Sequence, residues 1–251
     1  MCPVGQGKLM RSKGFMDFSL FKEILWGELK NTDVKGIRFV RWGEPTMHPR
    51  FTDFLRETKK AKFLVHFNTN GMLFDEELVW AILAYKVDSI KFSFQGLDKY
   101  GYESVRRGGN FDTIKQWIKY LYEKRGNGQR PYITVDTTVT QGDDAGCASF
   151  REGFRDISDD INIRETVTFV GDGFTRTRRN NTCSEYNKVS LNWDGTVSFC
   201  CSDFDNLLLV GNLRKQSLSE VWNGEQAVTY RRMLIEKKHK LLPLCKYCLD
   251  G

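Results

Sequence analysis

Gly36-Ile37-Arg38-Phe39-Val40-Arg41-Trp42-Gly43-Glu44-Pro45 is a short β-prone run stopped by a glycine and a proline. Outward from it toward the C-terminus, the same unit returns. A helix-spaced segment over 51–61 leads to a strand over 63–68 that ends in Thr69-Asn70-Gly71. A helix over 75–85 leads to a strand over 89–94 that ends in Gln95-Gly96. A connection with Tyr102 and Arg106-Arg107-Gly108-Gly109 precedes a helix over 111–125, a strand over 132–139, a helix around 148–157 and a strand over 161–166. Toward the N-terminus, Phe18, Phe21, Ile24, Leu25 and Leu29 stand at helical spacing over 17–31, with Asp17 as the cap. Strand-helix units of this length predict a parallel sheet with right-handed crossovers. The fold class is therefore α/β: five legible strands of a parallel, TIM-like partial barrel, followed by a small C-terminal β-hairpin/helix domain.

Parallel strands covered on both faces read as continuous apolar runs. Here they alternate: His66, Asn68 and Asn70 share one face, as do Lys91 and Ser93, then Thr134, Asp136 and Thr138, then Asn162, Arg164 and Thr166. With crossover helices on the outside, the pattern predicts a hydrated lumen built for a polar ligand. A half-exposed sheet is the competing reading. Asp136 and His66 are the candidate catalytic groups, on facing and chemistry alone.

Residues 183–251 hold five of the seven cysteines: Cys183, Cys200, Cys201, Cys245 and Cys248. Residues 188–193 and 196–199 read as a hairpin around a two-residue Asp194-Gly195 turn. Cys183 and Cys200 would meet at its open end, and Cys245-Lys246-Tyr247-Cys248 would bring two further thiols. This is spacing for a metal, because thiolates from a turn and a hairpin can reach one small sphere. Iron-sulfur cluster, zinc, disulfide and plain core thiols all remain compatible with it. Ser217 caps a short helix to Trp222, and a basic helix over 225–240 follows. Cys147 has no partner by spacing and is expected as a small buried hydrophobe.

With 251 residues, 40% hydrophobic and 28% charged, the chain can bury a medium domain and a small appendage. No apolar window of about 18 residues is present, so a membrane partner is not expected. The N-terminus lacks a charged-then-apolar secretory pattern, which points to a reducing cytoplasm. A net charge of +6 fits an acidic partner or a phosphorylated substrate. Paired, scattered basic residues argue against nucleic acid.

The order Cys183, Gly195, Cys200, Val210-Gly211-Asn212-Leu213, Ser217 to Asn223 and Cys245-x-x-Cys248 resembles the SPASM/twitch auxiliary-cluster region of radical S-adenosylmethionine (SAM) enzymes. The resemblance implies an auxiliary [4Fe-4S] cluster on Cys183, Cys200, Cys245 and Cys248. Cys201 is the alternative to Cys200, since neighbours on a strand point apart. Gly43-Glu44-Pro45 resembles the family's Gly-Gly-Glu-Pro strand end, whose backbone and carboxylate hold the amino group of SAM; Trp42 replaces the first glycine. Ser93, Asn68 and Asn70 occupy positions that the resemblance turns toward SAM.

Met1-Cys2 resembles the end of the family's Cys-x-x-x-Cys-x-Φ-Cys signature, so Cys2 is expected as a ligand of a second [4Fe-4S] cluster. The two preceding cysteines are missing. A start codon set at an internal Met is the expected explanation, with genuine loss of that site as the other. The implied organisation is a partial (β/α)6, TIM-like barrel over 1–170 that lacks its first strand, a linker over 171–182 and a cluster domain over 183–251. The implied activity is that of an oxidoreductase or maturase: a 5′-deoxyadenosyl radical takes hydrogen from a peptide, sugar or aminocyclitol, with electrons from a flavodoxin- or ferredoxin-like donor. The competing class is an incomplete iron-sulfur or zinc scaffold or electron carrier.

Overall fold

A computed structural model describes residues 4–5, 7, 9–139, 143–165, 169–170, 173–174, 183 and 187–245. The chain divides into two compact units, Asp33–Thr166, and Met1–Thr32 with Val167–Gly251.

The first unit carries five parallel strands in the order β1-β2-β3-β4-β5: β1 Gly36–Phe39, β2 Leu64–Thr69, β3 Ser89–Ser93, β4 Tyr132–Val139 and β5 Asp160–Glu165. Sequence order equals spatial order, as a one-way barrel wall requires. The expected α/β class, a partial-barrel wall of parallel strands plus a small antiparallel C-terminal sheet, is the observed one. One face of the sheet is apolar. Val65, Phe67, Ile90, Phe92, Ile133 and Val135 are fully buried with Leu55, Ile82, Ile114, Ile118, Leu121 and Phe154 from the crossover helices. These are α2 Phe51–Lys60, α3 Glu76–Ala84, α5 Phe111–Arg125 and α6 Asp144–Phe154.

Two carboxylates set the strand starts by the same device. Asp88, before β3, accepts the Val65 N–H at 2.8 Å, and Asp159, before β5, accepts the Ile133 N–H at 2.6 Å. Each is also ion-paired, Asp88 with Lys59 and Arg130, Asp159 with Arg125.

Two helices differ from expectation. The connection with Tyr102 contains α4 Lys99–Val105, capped by Asp98, whose side chain accepts the Gly101 N–H. α6 starts four residues before 148, because Asp143 accepts the Gly146 N–H. Both starts are N-caps whose first turn holds a glycine, which hid the helical period. Cys147, on α6, is half-buried rather than buried.

In the second unit, β8 Ser190–Leu191, β9 Thr196–Ser198 and β10 Leu209–Asn212 form an antiparallel sheet in the order β10-β9-β8, and β6 Phe169–Val170 pairs with β7 Gly173–Phe174. Gly173–Phe174, inside the expected linker, is therefore strand-paired. The β8–β9 turn is three residues long, not two: Asn192 pairs with Thr196, and Gly195 closes the turn at φ +88° with its N–H on Asn192 O. The left-handed glycine, rather than the Asp-Gly dipeptide, defines this loop.

The helix α1 Phe18–Glu23 runs into a π-helical segment, Ile24–Leu29, and Asp17 caps it by accepting the Ser19 and Leu20 N–H groups. Leu20 and Ile24 pack against Val197, Leu213, Leu218 and Val221. α7 Leu218–Asn223 begins in a capping box of Ser217 and Glu220. α8 Glu225–Ile235 ends sooner than expected, with Lys237 at φ +58°. Among the described residues no helix is long and apolar enough to cross a membrane.

Candidate functional site

The C-terminal end of β1 is joined to that of β2 by one carboxylate. Glu44 Oε1 accepts the Thr46 N–H at 3.2 Å, the Thr46 hydroxyl at 2.8 Å and the Thr69 hydroxyl at 2.9 Å, while Oε2 accepts the Asn70 N–H at 2.6 Å. Thr69 Oγ1 in turn accepts the Gly71 N–H, and Asn70 Oδ1 the Met72 N–H. A carboxylate offers about four lone-pair sites, so Glu44 is nearly saturated by the protein itself. Pro45 starts the 3-10 turn Pro45–Met47 that aims this loop. Upstream, Arg41 holds φ +105°, a strained backbone that clusters at functional sites. A Cβ built on Gly43 would meet nothing within 4 Å, so a ligand can approach that backbone.

The other face of the sheet is polar, row by row. The parallel register aligns Arg38 with His66, and His66 with Ser89; Asn68 with Lys91 and Thr134; Ser93 with Asp136 and Asn162; Thr138 with Arg164. His66 Nδ1 lies 2.8 Å from Ser89 Oγ and Nε2 lies 2.8 Å from Asn68 Oδ1. With the amide oxygen accepting, Nε2 carries the proton. Burial holds the imidazole below its ordinary value, the Asn68 bond opposes this, and the cations Arg38 and Lys91 add to it. Asp136 Oδ2 accepts from Lys91 Nζ at 2.8 Å, and Arg164 Nε stands 3.1 Å from Oδ1. Both catalytic candidates therefore face the polar side, His66 in a neutral hydrogen-bond relay and Asp136 between two cations.

In the second unit, β9 ends at Ser198 and the chain enters a tight turn through Cys200 and Cys201. Asp203, fully buried, holds it: Oδ2 accepts from Ser198 Oγ at 2.7 Å and the Leu208 N–H at 2.9 Å, and Oδ1 accepts the Leu207 N–H at 2.8 Å. The two thiols consequently lie side by side rather than pointing apart, a correction that follows from the turn replacing the strand. The Cys200 thiol is pushed up, first by its bond with the Cys201 thiol, then by burial, with Cys201 and Cys245 adding electrostatically. Cys200 Sγ accepts the Ser202 N–H at 3.3 Å, and Cys200 packs on the apolar cluster of Phe199, Leu208, Leu242, Leu244 and Cys245.

Cys183 is half-buried, and Cys2 and Cys248 lie outside the described residues. Among the described residues no three His, Cys, Asp or Glu are gathered closely enough to hold a metal. The donor chemistry fits an iron-sulfur group nonetheless: soft sulfur, an N–H donor on sulfur, and a dry wall.

A sequence model of the radical SAM superfamily matches residues 2–143. The chain belongs to this superfamily. Residues 183–249 match SPASM, an iron-sulfur cluster-binding domain. Radical SAM and SPASM membership implies [4Fe-4S] clusters and SAM. A tungsten-containing aldehyde ferredoxin oxidoreductase cofactor-modifying protein from Pyrococcus furiosus is 27% identical over 290 residues, covering 94% of this chain and 80% of that one. The crystal structure of BtrN in complex with AdoMet and 2-DOIA superposes with a TM-score of 0.66 at 18% identity, over 98% of this chain and 84% of BtrN. Streptococcus suis SuiB bound to the precursor peptide SuiA gives 0.70 at 12% identity, over 96% of this chain and 70% of SuiB. At these identities the two structures speak for the radical SAM fold.

Sequence reasoning singled out Glu44 but not Thr46 and Thr69, which fill its lone pairs. It also passed over Asp203. The Cys-Cys-Ser-Asp run was the available signal, since a serine and an aspartate just beyond a strand are turn formers.

Proposed function

We propose that this chain is a radical SAM oxidoreductase or maturase acting on a peptide, sugar or aminocyclitol. The observation that carries the reading is the Glu44-braced strand end with an open Gly43, standing beside a polar sheet face in a member of this superfamily. When bound, the reduced cluster and SAM supply a 5′-deoxyadenosyl radical that removes a hydrogen atom.

The chain's own residues bind and orient. Gly43 admits close backbone approach, and Pro45 fixes the loop. Glu44 acts through Asn70, whose position it sets, while Asn68, Asn70 and Ser93 supply polar groups along the same edge. His66 and Asp136 are the substrate-side groups: His66 stays neutral and exchanges hydrogen bonds without changing charge, and Asp136 orients a donor on the substrate. Cys2 belongs to the barrel cluster. Cys183, Cys200, Cys245 and Cys248 hold the auxiliary one, with Cys201 in reserve, and Asp203 fixes the turn that presents Cys200. The barrel domain is proposed over 1–170 and the cluster domain over 183–251, joined through 171–182, with residues 1–32 folded into the same compact unit as the cluster domain. An acidic flavodoxin- or ferredoxin-like donor suits the net charge of +6, and thiolate ligands suit a reducing cytoplasm.

The substrate range is supported by what the relatives are described as handling: a cofactor, 2-DOIA and a precursor peptide. The test is anaerobic incubation of the native protein with SAM and dithionite, following 5′-deoxyadenosine by chromatography. Its formation, and its loss in Gly43→Val, is expected; iron-loaded protein that leaves SAM intact would overturn the reading.

A further inference from the structure

On the polar face of the sheet, Lys91 on β3, Asp136 on β4 and Arg164 on β5 stand on successive rows of the register, and their side chains meet along a diagonal. Asp136 is its centre, with a side chain only 12% exposed, paired to Lys91 at 20% and to Arg164 at 53%. The two pairings differ in kind. Lys91 Nζ makes a hydrogen bond to Oδ2. Arg164 Nε is 3.1 Å from Oδ1, yet Oδ1 accepts no hydrogen bond among the described residues. The guanidinium is thus anchored by charge, while its N–H donors are not spent on the carboxylate.

An arginine in that condition has a fixed fork looking for an acceptor, and its planar geometry matches a carboxylate or phosphate in bidentate fashion. The surroundings favour an anion. Arg38, Lys91 and Arg164 stand against Asp136 and Asp160 on this face, leaving one positive charge in excess. Burial is the first reason that His66 binds a proton less readily, and Arg38 and Lys91 add to it.

We propose that Arg164, steadied by the Lys91–Asp136 pair, is the receptor for an anionic group of the substrate, a carboxylate or a phosphate. That this anion belongs to the substrate rests on the function proposed above; that Arg164 binds anions does not. The substrate class is thereby narrowed to acidic molecules or acidic peptide segments.

Arginine footprinting of the native protein tests this without turnover. Phenylglyoxal labelling of each arginine is followed by peptide mass spectrometry in chloride, and then in inorganic phosphate, acetate or SAM at equal ionic strength. Phosphate or acetate is expected to slow labelling at Arg164 about tenfold at ten times its half-protecting concentration, with Arg38 little changed. The anion that protects at the lower concentration identifies phosphate or carboxylate as the group recognised. Arg164 labelled at one rate in every anion would overturn the proposal, and so would protection by SAM alone, which would assign the arginine to SAM. Absence of 5′-deoxyadenosine in the turnover assay, with Arg164 still protected by phosphate, would instead overturn the proposed function and leave the anion site standing.

Discussion

The strand-end loop at Glu44 and the cysteine turn at Cys200 are held by the same device, one carboxylate that gathers backbone N–H groups and hydroxyls. Glu44 collects Thr46, Thr69 and Asn70; Asp203 collects Ser198, Leu207 and Leu208. They differ in what surrounds the brace. Asp203 is fully buried, whereas Glu44 is half-buried beside open space at Gly43. The barrel loop is braced on one side and leaves the Gly43 backbone open on the other. The cysteine turn has its backbone fixed against the apolar cluster of Phe199, Leu208, Leu242 and Leu244.

If burial decides how much each brace matters, Asp203→Ala has the largest effect. It strands two N–H groups and a hydroxyl, at a cost of about 3–4 kcal/mol in urea unfolding, and bound iron should fall with it. Glu44→Gln turns an amide NH2 toward the Thr hydroxyls or the Asn70 N–H and should cost about 1–2 kcal/mol, with weaker SAM binding in calorimetry. An equal cost at both positions would break the comparison. Gly43→Val fills open space, so stability should hold within about 0.5 kcal/mol while SAM affinity drops more than about tenfold.

The smallest effect is at His66. Its folded pKa lies below the ordinary 6.5, so the stability it confers is present above that value and declines as pH falls through it. Thermal melts from pH 7.5 to 5 should slope less in His66→Gln than in the wild type; equal slopes would remove the burial account of its shift.

The parallel sheet was legible because period-two alternation and crossover spacing are local signals, and so was the polar face bearing His66, Lys91 and Asp136. The Asp17 and Ser217 caps could be read for the same reason. What escaped depended on pairings that only the folded chain makes. Glu44 being filled by Thr69 and Asn70 needs β1 and β2 in register. The three-residue turn at Gly195 needs the pairing of Asn192 with Thr196. The neighbouring thiols of Cys200 and Cys201 need Asp203 to fold the strand end over, and strand periodicity gave the wrong answer once the strand had ended at Ser198.

The central claim is that the Asp203-braced turn presents Cys200, with Cys245, to an iron-sulfur cluster. The most direct measurement is iron and sulfide per chain in the anaerobically reconstituted wild type and in Cys200→Ser, Cys201→Ser and Cys245→Ser. Loss of about four irons in the Cys200 and Cys245 variants, with the Cys201 variant near wild type, is predicted. Unchanged iron in both, or about one zinc per chain in place of iron, would contradict the account.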